Sequence, residues 1–497
     1  MPYGKYLRTH TGLEIFTGYK EIAIHIPNDS APILIPLIAH SIYESKDGTI
    51  WCGLHRNGII PLTDGNTPDE TRHYLQGYSV SDILEDSEGG FWFTTLENGV
   101  FYMASEKFLY YSIEDNHLVN RILCLTPADS AHVLAGTANG SIYRADPFHI
   151  SLTDNSRNTS ISRIYTGIHS PVLVGSDSSY ILQTGNHKKI IPICLANNKI
   201  AFTSFAITSK GEVWGGNYLF LARIDPVSGL VEKKITVKSR ILSLYCDAGD
   251  RIWMGCSDGL WKYEKDSLFY MSLHTPLLQC PVEDLKQSKD GSWWYATKGN
   301  GVIIRNGDKL FQISVKNRLT SNICRSLDFD PDGNVWIGTN AGINKIIPLV
   351  QGNFKIENYT SQDGLYSNEI NQLVINGDYL WAASNIGILF FNTRAAFIKR
   401  IPPPVYITNF DVNNRKTDFS TDAELDHTQS FIRINFIGLS YKRGTGLVYK
   451  YRLQGLDTAW NYTTGTSIQY TPLPPGSYTF SVYAVNSDGM ESVVPAT

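Results

Sequence analysis

Asp328, Asp330 and Asp332 stand at alternate positions in DFDPDGNVWIGTNAGINKI (328–346), followed by Gly-Asn. A calcium loop opens this way, because carboxylates at its first, third and fifth positions supply the hard oxygen ligands the ion takes. Such a loop also needs a bidentate Glu at its twelfth position, and here that residue is Thr339. A second candidate is GCSDG (255–259), which fits G-x-S-x-G with Ser257 as nucleophile. That elbow works only between a strand and a helix. The twelve histidines are never closer than fifteen residues apart, so no HExxH or HxH metal pair exists. The seven cysteines form no CxxC pair and leave at least one thiol free, which reads as buried structural thiols rather than a zinc site. Carboxylates are frequent, and two converging in a pocket would make a glycosidase pair.

The elements around these residues explain most of them. NVWIGTNAG has relatives all along the chain, including TIWCGLHRNG (49–58), GFWFTTLENG (90–99), HVLAGTANG (132–140), RIWMGCSDG (251–259), SWWYATKGNG (292–301) and YLWAASNIG (379–387). The aligned positions are Trp51, Trp92, Leu134, Leu173, Trp214, Trp253, Trp294, Trp336 and Trp381, spaced 39 to 45 residues apart. A degenerate tenth copy opens the chain, KYLRTHTGLEIF, with Tyr6 in the Trp position. Each unit reads as four short strands joined by polar turns, and Asp-Gly between two apolar runs is a strong hairpin signal. Four strands in roughly 40 residues, reiterated, predict a β-propeller. Asp332-Gly333 then occupies the turn held by Asp290-Gly291 and Asp47-Gly48 in sister units. Strands flank GCSDG on both sides, which removes the nucleophile reading. No catalytic residue, metal or cofactor is expected.

Composition agrees. The 497 residues include 28 Tyr, 10 Trp and 41 Gly with only 18% charged residues, as suits tight-turned β structure. A net charge of −4 without a basic stripe argues against a nucleic-acid partner. The longest apolar stretch, APILIPLIA (31–39), is too short to span a bilayer. MPYGKYLRTH lacks the apolar centre of a secretory signal.

The period stops near residue 395. IKRIPPPVY (398–406) is a stiff proline joint. Beyond it VYITNFDV, SFIRINFIGLSY, VYKYRLQG, SIQYTPL and SYTFSVYAVN alternate as sandwich strands, indicating an immunoglobulin- or fibronectin-like domain. Tyr478, Phe480, Val482 and Ala484 share one face. The expected fold is all-β, about ten four-stranded units followed by a β-sandwich. The expected divisions are 1–118, the C-terminal part of a first propeller, 119–397, a seven-bladed propeller, and 398–497, a sandwich whose last strand is cut short. One unusually large ring is the alternative.

The units, with a D-x-x-G turn, a W-I-G-T strand and N-x-G-[IL]-N, resemble the propeller repeats of periplasmic sensor regions in Bacteroidetes-type two-component systems. VYKYRLQGLDTAW (448–460) and LPPGSYTFSVYAVNSDG (473–489) are similar to the Tyr-rich Y-x-Y-x-Y domain that follows those propellers. The resemblance covers essentially the whole chain. It implies the extracytoplasmic, periplasmic part of an inner-membrane sensor, with a membrane helix after the C-terminus and a histidine kinase beyond it. It also implies a homodimeric receptor and an oligosaccharide or other small glycan as ligand. Members of that family usually carry two seven-bladed propellers and a kinase, so ten repeats rather than fourteen, and no kinase, depart from that pattern.

In a propeller, the loop before the innermost strand and the turn after the second strand open on one face. Asn120, Arg121, Asn139, Arg240, Asp258, Lys298, Asn300, Asn322, Arg325, Asn340, Asn368 and Asn385 are therefore expected to line one mouth. Their donors and acceptors match sugar hydroxyls, and Arg or Lys could hold a uronate or sulfate. Asn before Gly is also plain turn chemistry. Alternative readings are a scaffold that docks a protein or cell-surface partner, and a polysaccharide lyase or hydrolase.

Overall fold

The computed structural model describes all residues except 1–3, 28, 30, 70, 71, 114–120, 155–159, 162, 166–171, 177, 178, 185, 186, 196, 197, 350–352, 395–400, 414, 418–423, 427–430, 442–445, 472, 487 and 488. Its regular elements are antiparallel strands and short 3-10 turns. The chain divides into two compact units, Glu106–Phe397 and a discontinuous one of Met1–Ser105 with Ile398–Thr497.

The first of these is a closed ring of seven four-stranded blades. The innermost strands are Ile122–Pro127, Arg163–Tyr165, Ser204–Ile207, Ile241–Cys246, Val282–Gln287, Cys324–Phe329 and Ile370–Asn376. Leu109–Tyr111 pairs with Ile388–Phe390 and supplies the fourth strand of the last blade. The ring therefore begins before residue 119, the boundary expected from the repeat. A repeat shows where units recur, but not that the last one borrows its outer strand from chain ahead of the first.

Two residue choices make the blades stack. In five ring blades a glycine two places after the Trp or Leu position lets the next blade's innermost strand approach, with Ala296 and Ala383 in the other two. A Cβ on Gly255 would lie 2.4 Å from Val282 O and 2.3 Å from Ser243 Oγ. In two ring blades an Asp six places before the Trp then fastens the turn to the indole. Asp247 Oδ2 accepts from Trp253 Nε1 at 2.8 Å, and Asp330 Oδ2 from Trp336 Nε1 at 2.9 Å. The same carboxylates take turn N–H groups, Arg251 N on Asp247 and Asn334 N on Asp330. Trp336 and Trp381 are buried, and apolar side chains fill the space between blades. One such cluster joins Ile122, Leu125 and Val133 to Val374, Trp381 and Phe390 of the seventh blade.

The discontinuous unit holds three further blades and the sandwich. In the first blade Thr9 N donates to Leu13 O as Ser45 N does to Thr49 O in the second. That alignment puts Ile15, fully buried, in the Trp position, whereas Tyr6 lies on the preceding strand Tyr6–Arg8 and is exposed. The expectation for Tyr6 is thus corrected. An aromatic residue was matched where the turn register should have decided.

In the sandwich, Val405–Val412, Arg415–Thr417, Ile432–Gly438 and Ser467–Tyr470 form one sheet. Val448–Gln454, Asn461–Thr463 and Thr479–Val485 form the other. Phe436, Tyr449, Phe480 and Val482 fill the core between them, and Gly438 N donates to Tyr449 Oη at 3.0 Å. The sandwich docks on the third blade within this unit. Ser440 Oγ and Tyr441 N both donate to the Glu88 carboxylate at 2.9 Å, and Tyr441 meets Trp92 edge-on with centroids 5.8 Å apart.

Candidate ligand-binding mouth

In four blades of the ring the turn between the second and third strands folds onto the segment ahead of an innermost strand. Ala138 N donates to Arg121 O and Lys298 N to Pro281 O at 2.9 Å, Ser257 N to Arg240 O at 3.0 Å, and Asn340 N to Ile323 O at 3.4 Å. The sequence candidates among the described residues accordingly sit along one rim; Asn120 lies outside the described residues.

The structure brings two of them, Arg325 and Asn385, onto a residue the sequence did not single out, Glu369, with the charge of Arg121 within electrostatic reach. Arg325 Nη2 donates to Glu369 Oε1 at 2.8 Å and its Nη1 to Asn371 Oδ1 at 3.1 Å. Asn385 Nδ2 donates to Glu369 Oε2 at 2.9 Å. Asn371 Nδ2 is shared between Asn385 Oδ1 at 3.0 Å and Ile122 O at 2.8 Å. These groups come from the sixth, seventh and first blades, where the ring closes. The hydrogen bond from Arg325 outweighs partial burial and holds the Glu369 carboxyl below its ordinary range, with Asn385 and the charge of Arg121 adding to the effect. Arg121 itself is exposed.

The remaining candidates divide by what they touch. Asn322 Oδ1 accepts from Val315 N at 2.9 Å and Asn368 Oδ1 from Ser361 N at 2.7 Å. Their carbonyls take Gly299 N at 2.9 Å and Gly342 N at 2.7 Å. Both are therefore staples of the loop beneath a short 3-10 turn. Asn300 Nδ2 is spent on Leu277 O at 3.0 Å, and Asn139 Oδ1 on the Thr137 hydroxyl and Ser141 N. Asp258 accepts from the Trp261 indole at 3.1 Å. Arg240 stacks on Tyr218 with its guanidinium carbon 4.3 Å from the ring centre. Lys298 and Asn340 stand exposed on the rim. Glu369, Asn371 and Tyr218 were missed. Glu369 is an acid directly after the Asn of GLYSNE in a rim otherwise rich in bases, and that contrast was the available signal.

The three aspartates of the opening stretch have separate tasks. Asp328 pairs with Lys286 at 2.6 Å and accepts from Ile375 N of the next blade at 2.8 Å. Asp330 holds the turn and indole, and Asp332 is exposed. Ser257 Oγ rests on Arg240 O at 3.3 Å, between the strands Ile252–Cys256 and Gly259–Glu264.

Known proteins share parts of this sequence and its fold. Residues 318–341 match the two component regulator propeller family, and residues 440–497 match the Y_Y_Y domain. Histidine kinase P4 of Formosa agariphila is 25% identical over 285 residues, 52% of this chain and 20% of that protein. The chain thus spans about a fifth of that relative's length. The fold is that of the extracellular domain of a B. thetaiotaomicron protein described as a hybrid two component system, BT3049. The two superpose with a TM-score of 0.75 at 20% identity, covering 99% of this chain and 71% of the other. A second B. thetaiotaomicron extracellular domain, BT4673, overlaps at a TM-score of 0.47 and 15% identity, covering 100% of this chain and 80% of that one. Residues 318–341 are thus similar to a repeat of two component regulator propellers, and residues 440–497 to a Y_Y_Y domain.

Proposed function

We propose that this chain is the extracytoplasmic, periplasmic sensing region of a two-component sensor kinase, and that its ring takes an oligosaccharide at the mouth around Glu369. The observation that carries the reading is the hydrogen-bonded set Arg325–Glu369–Asn385–Asn371, fixed across three blades with Arg121 beside it. A sugar hydroxyl donates and accepts at once, so it needs carboxylate, guanidinium and amide groups held in place in advance. The Arg240–Tyr218 stack adds a flat apolar face on the same rim. The family matches support the sensor context.

Signalling would then be linkage. The ligand binds one arrangement of a homodimeric receptor more tightly than another, and the difference in affinity moves the equilibrium. The kinase and its membrane segment lie outside this chain.

Calorimetry across a glycan panel tests the site. Arg121→Ala, Arg325→Ala and Glu369→Gln should each weaken an identified ligand at least tenfold, about 1.4 kcal/mol. Unchanged affinity in all three would move the site elsewhere. The competing reading, a scaffold for a protein partner, is favoured by Tyr218 and Leu219, both more than half exposed on that rim. It gains if no glycan binds.

A further inference from the structure

The Glu369 cluster has an aromatic neighbour. Tyr366 lies three residues ahead of Glu369 on the same loop, so their Cα atoms are at most about 11 Å apart. Its ring stacks on Tyr110, with centroids 5.0 Å apart and planes at 16°. Tyr110 belongs to Leu109–Tyr111, the strand that closes the ring of blades. Its hydroxyl donates to Ile386 O. Its ring presses on Gly387, where a Cβ would meet Tyr110 Cε2 at 2.5 Å. Ile386 and Gly387 directly follow Asn385, which holds Glu369. The stack is therefore pinned to the turn that carries one arm of the cluster.

Tyr366 keeps 42% of its surface exposed on a loop that is otherwise firmly built. Leu365 is buried beneath it, and Thr360 caps the short 3-10 turn Ser361–Asp363 just ahead. The hydroxyl end of Tyr366 is the enclosed part. Burial, with the Tyr110 phenol beside it, pushes that hydroxyl above its ordinary range. Among the described residues it makes no hydrogen bond. Packing against Tyr110 thus leaves both an aromatic surface and a phenol without a task. An aromatic wall held beside a few fixed polar groups is the usual make-up of a small-ligand site.

We propose that Tyr366, backed by Tyr110, is a second subsite of the mouth around Glu369, and that the ligand is accordingly an oligosaccharide of at least two linked pyranoses. One unit hydrogen-bonds to the Arg325–Glu369–Asn385 set. The next lays its C–H face on the Tyr366 ring and turns a hydroxyl to the phenol. A free monosaccharide fills only one of the two places. This inference rests on the mouth being the ligand site.

Calorimetry of the full chain with a panel of neutral and acidic disaccharides, and with their monosaccharide units, tests it. Tyr366→Ala should weaken a disaccharide that binds by roughly tenfold, and leave the tighter of its monosaccharide units unaffected. Tyr366→Leu, which keeps the apolar bulk but not the flat face, should lose as much, so a folding defect in the alanine variant does not decide the matter. The subsite is overturned if Glu369→Gln abolishes disaccharide binding while both Tyr366 variants bind as the parent does. Monosaccharides that bind as tightly as their disaccharides would overturn it as well. If no sugar of the panel binds, or if Glu369→Gln binds like the parent, the mouth itself fails and the subsite falls with it.

Discussion

Asn371 donates through Nδ2 to Ile122 O at 2.8 Å, joining the seventh blade to the first across 249 residues of chain. Gln372 Oε1 accepts from Leu125 N at 3.0 Å one step along the same seam. Because the Asn371 amide also carries Asn385 and Arg325, Asn371→Ala loosens the ring seam and the mouth together. We expect a loss of about 1–3 kcal/mol for the orphaned buried groups, read as a lower urea midpoint. An unchanged midpoint would mean that the apolar seam alone closes the ring.

The Asp–Trp latch allows a paired prediction on stability. Asp330→Ala removes the acceptor of the Trp336 indole and of Asn334 N, and should cost about 3 kcal/mol. Ser45→Asp supplies an acceptor for the unmatched Trp51 Nε1 and should gain roughly 1 kcal/mol. The neighbouring Asp47 is no obstacle in principle, since Asp330 and Asp332 coexist at the same spacing. Chemical denaturation of both variants decides it; Ser45→Asp coming out destabilised would refute the latch as a transferable device.

These relationships mark how far the sequence could be read. The Trp period and the D-x-x-G turns are local, so the blades and the sandwich strands were legible. Ring closure by Leu109–Tyr111 is a long-range pairing that the period does not encode. Asn322 and Asn368 looked like ligand contacts because Asn suits both sugars and turns, and the loop hydrogen bonds assign them to the turn. Glu369 became visible only when Arg325, Asn385 and Arg121, from three blades, were seen around it.

Acid should unfold this protein through its turn carboxylates. Burial pushes the Asp129 carboxyl up, but the hydrogen bonds of His132 and of the Ala131 and His132 amides together outweigh it and hold the pKa at about 2. Asp247 is lowered too: burial pushes it up, but Trp253 and Arg251 outweigh that. A carboxyl depressed by folding binds its proton more tightly in the unfolded chain. Its contribution is complete above the unfolded value of about 3.9 and lost as pH falls through the folded one. The urea midpoint should be flat from about pH 7 to 5 and fall between about pH 4 and 2. A fall beginning near neutrality would assign the acid response to histidines instead.

The thiols give a probe of global opening. Burial pushes Cys52 and Cys324 up to about 12, and Cys246 reaches about 12 through burial and the charges of Asp250 and Asp247. Thiolate is the reactive form. Native protein at pH 8 should therefore label slowly with a disulfide reagent at these positions, and all seven cysteines should react in guanidinium. Prompt stoichiometric labelling of Cys52 in the native state would show that its blade opens locally.

Glu88 fastens the sandwich to the third blade of its own unit, Met1–Ser105 with Ile398–Thr497. Its two carboxylate oxygens take Ser440 Oγ and Tyr441 N at 2.9 Å each, and Trp92 packs beside Tyr441. Hydrogen bonds to a charged acceptor contribute about 1.5–3 kcal/mol where water is excluded, and less at a partly exposed seam such as this one. Glu88→Ala should therefore leave each fold intact but weaken their coupling. Calorimetry should then show the transition of this unit broadening or splitting, with faster proteolysis near Tyr441. Glu88→Gln keeps an acceptor for Tyr441 N and should fall between the two. If Glu88→Ala melts as the parent does, the Trp92–Tyr441 contact and not the carboxylate holds the sandwich in place. A signal leaving through the sandwich would then have to pass through that aromatic pair.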